Sequence, residues 1–170
     1  MLILQNLLKL IHKFRDMVVG KGMWSSFSEQ LRRAFWEAAQ TARRDAHPEV
    51  LPEHLALSIL RVRPSAAKII LERLRVPIAE VEKELEIYLR HLPRRSFSGA
   101  PKLSVPVKQM IDESWKIARR HRCDWIGTHH LLLSLGHINC YVSNVLREYG
   151  LSFADYEREM QRGDVVDGGA

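Results

Sequence analysis

The chain has 170 residues, 46% hydrophobic and 27% charged, with a net charge of +6. This length supports one domain with a sizeable core, and the balance is that of a soluble globular protein, which excludes a disordered or collagen-like chain. Two cysteines, Cys123 and Cys140, cannot build a disulfide framework, and no secretory signal follows Met1, so a reducing cytoplasm is the expected compartment.

Residues 2–19 place Leu4, Leu7, Leu8, Ile11, Phe14 and Val18 at helical spacing, with polar residues between them. The pattern predicts a one-faced amphipathic helix within a leader of residues 1–22, too often interrupted by charge to span a bilayer. Gly20 and Gly22 end it. The leader has three possible uses: docking on the rest of the chain, lying on an anionic membrane through Lys9, Lys13 and Arg15, or gripping a partner helix-in-groove.

Next, Ser28 is placed to cap a long helix with Leu31, Ala34, Phe35, Ala38, Ala39 and Ala42 on one face. His47-Pro48 breaks it, and Pro52 opens a second helix running to Val62. Pro64 and Pro77 mark two further starts, the last helix reaching about Leu92. No strand signal separates these four helices. Pro93 to Pro101 reads as a linker. A helix over about Pro106 to His121 follows, with Met110, Ile111, Ser114, Trp115 and Ala118 inward. Asp124 to Gly127 form a turn after which Thr128 is the expected cap. The tail, residues 163–170, is expected to be disordered.

The chain contains itself twice. A shift of 76 lays Ala42-Arg43-Arg44 on Ala118-Arg119-Arg120 and His54-Leu55-Ala56-Leu57-Ser58 on His130-Leu131-Leu132-Leu133-Ser134. A shift of 75 then lays Leu71, Leu74 and Val76 on Leu146, Tyr149 and Leu151. The expected architecture is all-α: two pseudo-symmetric four-helix repeats, residues 23–92 and 103–162, joined by the linker 93–102 and packed as one domain. His54 and His130 share one repeat position, which assigns them a structural hydrogen bond to the end of a neighbouring helix rather than catalysis.

The segment Gly127-Thr128-His129-His130-Leu131-Leu132-Leu133-Ser134-Leu135 resembles the GTEHLLLGL signature of the Clp amino-terminal repeat domain. Val145-Leu146-Arg147-Glu148-Tyr149-Gly150-Leu151 is similar to the family's VLEELGV, and Phe27-Ser28-Glu29-Gln30-Leu31-Arg32-Arg33-Ala34 to its FTERARRAL. The resemblance covers about residues 27–162. It implies a domain that recognises substrates and adaptors of an ATP-driven Clp unfoldase. No phosphate-loop pattern occurs in the chain, so the expectation is a stand-alone Clp-repeat protein without the ATPase ring.

In some family members the Glu of GTEH holds the guanidinium of phosphorylated arginine. Here Leu51-Pro52-Glu53-His54 keeps the carboxylate but loses Gly and Thr, while Gly127-Thr128-His129-His130 loses the carboxylate. An imidazole cannot replace a carboxylate opposite a guanidinium, so a changed ligand preference is expected.

The function expected is a non-enzymatic adaptor or modulator of a Clp-type ATP-dependent protease, with no cofactor and no small-molecule substrate. Its partner-binding residues are expected at Pro52, Glu53, Thr128 and His129, in the groove where the halves meet. Helix amino termini there suit anionic groups, and His129 would add charge below about pH 6.5. Cys123, His129, His137 and Cys140 match no usual zinc spacing, so no metal is expected, and no Gly-x-Ser-x-Gly elbow surrounds Ser58 or Ser134. The rival reading is a basic nucleic-acid-binding or membrane-surface protein. Residues 1–122 carry 23 Lys/Arg against 13 Asp/Glu, whereas residues 123–170 carry 3 against 7.

Overall fold

The computed structural model describes residues 24–167. The expected leader helix therefore lies outside the described residues, as do positions 168–170. From Glu29 onward eight α-helices follow one another: α1 (Glu29–Arg44), α2 (Pro52–Arg61), α3 (Ala66–Arg73), α4 (Ile78–His91), α5 (Val105–Arg120), α6 (Thr128–Ser134), α7 (Tyr141–Glu148) and α8 (Phe153–Met160). A 3₁₀ turn, Leu135–His137, follows α6. None of these helices is long and apolar enough to cross a membrane.

Local chemistry starts and stops the helices at matching places in both halves. The Ser28 hydroxyl accepts the Leu31 amide, and its repeat counterpart Ser104 accepts that of Val107. Four helices end in the same way, with a residue in the left-handed region after the last turn. These residues are Ala46 and Arg122 after α1 and α5, and Arg75 and Gly150 after α3 and α7. In each case the next amide bonds back five residues: His47 to Ala42, Cys123 to Ala118, Val76 to Leu71 and Leu151 to Leu146. This double closure satisfies the last carbonyls of each helix.

The amphipathic spacing of α1 is realised as read: Leu31, Ala34, Phe35, Ala38, Ala39 and Ala42 are all buried. In α5 the buried face includes Met110, Ile111, Ser114 and Ala118, with Ile117 in place of the half-buried Trp115. One continuous core of apolar residues joins the halves. The first two helices of each repeat pack together, and the third helix of each crosses to the second helix of the other: α3 on α6, α7 on α2.

Two findings depart from the sequence reading. Short parallel pairs tie the halves together where no strand was expected: Glu49–Val50 pairs with Lys102–Leu103, and Phe27 bridges Ile126. These are the same connection made twice. In each, the segment before one repeat's first helix pairs with the segment before the other repeat's second helix. Two-residue strands leave no periodic signal, because the partner is supplied by the other half.

The second departure is the tail. It was expected to be disordered from Gly163, but residues 163–167 pack against the domain. Asp164 pairs with Arg73 at 2.9 Å, and Val165 and Asp167 are buried.

Candidate functional site

Where the halves meet, α3 packs on α6 and α2 packs on α7. Between α3 and α6 the Asp167 carboxylate is fully buried. One oxygen accepts the Thr128 amide and the Ser28 hydroxyl, each at 2.6 Å. The other accepts the Thr128 hydroxyl at 2.6 Å and the Ala66 amide at 3.0 Å. Thr128 Oγ1 in turn accepts the Ala67 amide at 3.2 Å. Two helix amino termini, each with unbonded amides and a positive dipole end, thus share one carboxylate. Thr128 is the first residue of α6 rather than its cap; Gly127 holds the cap position. Glycine fits there because a Cβ would lie 2.6 Å from the His129 ring.

On the other side Pro52 occupies the place of Thr128 and offers neither an amide proton nor a hydroxyl. Glu53 is buried, and loss of solvent raises its carboxyl above the usual range despite a backbone hydrogen bond. The Tyr88 hydroxyl is raised by its own burial and by the Glu53 charge. Tyr88 stacks on Tyr141 with ring centres 4.1 Å apart, and the Tyr141 hydroxyl donates to Glu84 at 2.7 Å. Burial and then that bond raise the Tyr141 hydroxyl to about 12. An aromatic pair drawn from α4 and α7 therefore stands over the Glu53 side of the seam.

The histidines are structural. His54 Nδ1 accepts the Leu51 amide at 3.0 Å, and His130 Nδ1 accepts the Gly127 amide at 3.0 Å, so each closes the amino terminus of its own helix. Sequence reasoning had assigned them to the end of a neighbouring helix. With Nδ1 accepting, the His54 proton sits on Nε2 and is donated to His47 Nδ1 at 2.9 Å. Desolvation and then neighbouring imidazoles push His54 down to about 4 and His130 to about 3.

His129 is buried between Trp125 and His130, and its Nδ1 has no hydrogen-bond partner. Burial, then His121, lowers it to about 4. The expectation that it gains charge below pH 6.5 is corrected: a desolvated imidazole stays neutral well below that.

The four residues singled out by sequence, Pro52, Glu53, Thr128 and His129, open α2 and α6, and all are buried. Sequence reasoning missed Asp167, and its signal was the apolar pair Val165-Val166 in an otherwise Gly-rich tail. It also missed the Tyr88–Tyr141 stack, which no spacing could reveal. Ser58 and Ser134 donate to the carbonyls of His54 and Leu131, an ordinary intrahelical use. Among the described residues no three of His, Cys, Asp and Glu are grouped to hold a metal ion.

Comparison with known proteins matches this architecture. The family described as the Clp repeat (R) N-terminal domain covers residues 26–162. The chaperone protein ClpB of Mycobacterium leprae (strain TN) is 29% identical over 124 residues, which are 72% of this chain and 15% of that protein. The chain thus spans about a seventh of the length of this curated relative. The N-terminal domain (1-163) of the ClpV1 ATPase from E. coli EAEC Sci1 T6SS superposes with a TM-score of 0.69 at 23% identity, covering 80% of this chain and 84% of that one. A ClpV N-domain in complex with a VipB peptide superposes with a TM-score of 0.65 at 17% identity, covering 84% and 91%. The doubled four-helix unit, its crossed pairing and the family match over nearly all the described residues establish that the chain belongs to the Clp repeat N-terminal domain family.

Proposed function

We propose that this chain is a protein-binding module that acts as an adaptor or modulator of a Clp-type ATP-dependent unfoldase or protease, recognising the ring or its substrates. The observation that carries this reading is the family match over residues 26–162. The peptide held by the ClpV N-domain adds that this fold can present a peptide-binding face. The seam between the halves is the contact region in this reading. Glu53, Pro52, Thr128 and His129 set its shape, and the half-buried Trp125, Tyr88 and Tyr141 form its accessible rim. Such aromatic side chains supply large contact area at low entropic cost, as interface anchors do.

The test is affinity capture by the full chain from nuclease-treated host lysate with ATP held high, followed by mass spectrometry. Enrichment of a Clp ring subunit supports the reading. Capture that depends on nucleic acid or lipid, with no proteolytic component, overturns it.

A further inference from the structure

Away from the seam, α1, α2 and α4 of the first repeat enclose two adjoining clefts of about 280 and 450 Å³. Both are lined by Thr41, Arg44, Leu57 and Arg61. Together they gather six exposed arginines: Arg33, Arg44, Arg61, Arg63, Arg90 and Arg94. Three are engaged by carboxylates. Arg44 meets Asp45 at 3.2 Å, Arg61 pairs with Glu82 and Glu86, and Arg90 lies 3.6 Å from Glu86. Arg33, Arg63 and Arg94 have no carboxylate partner among the described residues, and Arg33 donates only to the Arg63 carbonyl at 3.4 Å.

Six guanidiniums on one face repel one another, and the architecture does not require them. The duplication makes this checkable within the molecule. The repeat counterparts of Arg33, Arg61 and Arg63 are Gln109, His137 and Asn139, and only Arg44 keeps an arginine, at Arg120, so the second half matches this part of the fold without gathering the cluster.

We infer that this cleft is a docking surface for an acidic peptide segment with interspersed apolar residues. The unpaired arginines supply charge for carboxylates, which guanidinium binds in a planar fork. Leu57 and Leu89 supply an apolar floor between them. Nucleic acid fits less well. Glu37, Asp45 and Glu86 line the same clefts and oppose a continuous run of phosphates, and no aromatic ring lines them for a base to stack on. The inference rests on the protein-binding reading above and adds the chemistry of one partner segment.

The test is fluorescence anisotropy of the full chain with a labelled peptide of about twelve residues alternating Glu with Leu. A Gln-for-Glu peptide and a single-stranded oligonucleotide of equal charge are the comparisons. The expected result is binding of the Glu peptide that weakens as salt rises, and a loss of at least about tenfold in the Arg33→Glu, Arg63→Glu, Arg94→Glu variant. A control variant with the same charge change outside the cleft, Lys102→Glu, Lys108→Glu and Arg122→Glu, retains binding. If circular dichroism shows the Glu variant unfolded, the corresponding Arg→Gln variant is measured in its place. Equal binding by cleft variant and wild type, or tighter binding of the oligonucleotide than of the peptide, overturns the inference. Failure of the peptide while a Clp ring is still captured removes the cleft and leaves the module reading. Peptide binding without ring capture does the reverse.

Discussion

The Thr128 amide and the Thr128 hydroxyl both donate to the Asp167 carboxylate at 2.6 Å, so the end of the described chain closes the amino terminus of α6. Thirty-nine positions separate the two residues. Ser28 and Ala66 donate to the same carboxylate, which ties α1, α3 and α6 at one point. Replacing Asp167 by Ala leaves these buried donors unpaired. Hydrogen bonds to charged groups contribute about 1.5–3 kcal/mol, and orphaned donors add their desolvation cost. Asp167→Ala should therefore lower the unfolding free energy by about 2–3 kcal/mol in urea titration. An unchanged midpoint would show that the tail does not hold the seam.

Stability should depend on pH through the buried histidines. In the unfolded chain a histidine titrates near about 6.5. Folding lowers His54 and His129 to about 4 and His130 to about 3, so between those values the unfolded state binds more protons. Stability is then complete above about pH 7 and is lost as pH falls from about 6.5 toward 4. At about pH 5 each imidazole accounts for about 2 kcal/mol, because one pKa unit corresponds to about 1.4 kcal/mol. Glu53 works in the opposite sense. Its raised carboxyl favours folding at low pH and loses that contribution as pH rises. One such group does not offset three imidazoles. Urea midpoints at about pH 7.5 and 5 measure the slope. His54→Gln keeps a capping acceptor at the same helix position and should reduce the slope by one imidazole's share.

The left-handed closures offer a paired test. Arg75 and Gly150 are repeat counterparts with φ of 59° and 91°. A side chain in this region costs about 1–2 kcal/mol, which glycine avoids. Arg75→Gly should raise stability by up to about 1 kcal/mol, and Gly150→Ala should lower it by a similar amount, both read from thermal midpoints. Equal and small changes of one sign would contradict the shared closure.

Glu53 and His129 hold the second position of α2 and of α6, and both are buried. Replacing both together, Glu53→Gln and His129→Gln, should weaken binding of a captured partner by about tenfold with the helical content retained. Unchanged affinity in a titration by calorimetry removes this stretch of the seam from the contact surface.

Much of this was written in local spacing. The i, i+3, i+4 pattern of Leu31, Phe35, Ala38 and Ala42 marked the buried face of α1, and Ser28 and Pro52 marked helix starts. The shift of 76 pairs His54 with His130, and that single correspondence marks both as architecture. Spacing did not reveal where Asp167 goes. A carboxylate in a Gly-rich tail reads as solvated, and only the convergence of three helix starts provides donors to desolvate it.

The sequence alone determined the helices, their caps and the duplication, because each depends on side chains within a few residues of one another. Tertiary structure decided what the halves do to each other: the crossed pairs Val50–Leu103 and Phe27–Ile126, the docking of Asp167 and the burial of Pro52, Glu53, Thr128 and His129. It also decided that His129 stays neutral. Burial and hydrogen-bond partnership are set by whatever lies opposite a side chain, and here that neighbour comes from the other repeat.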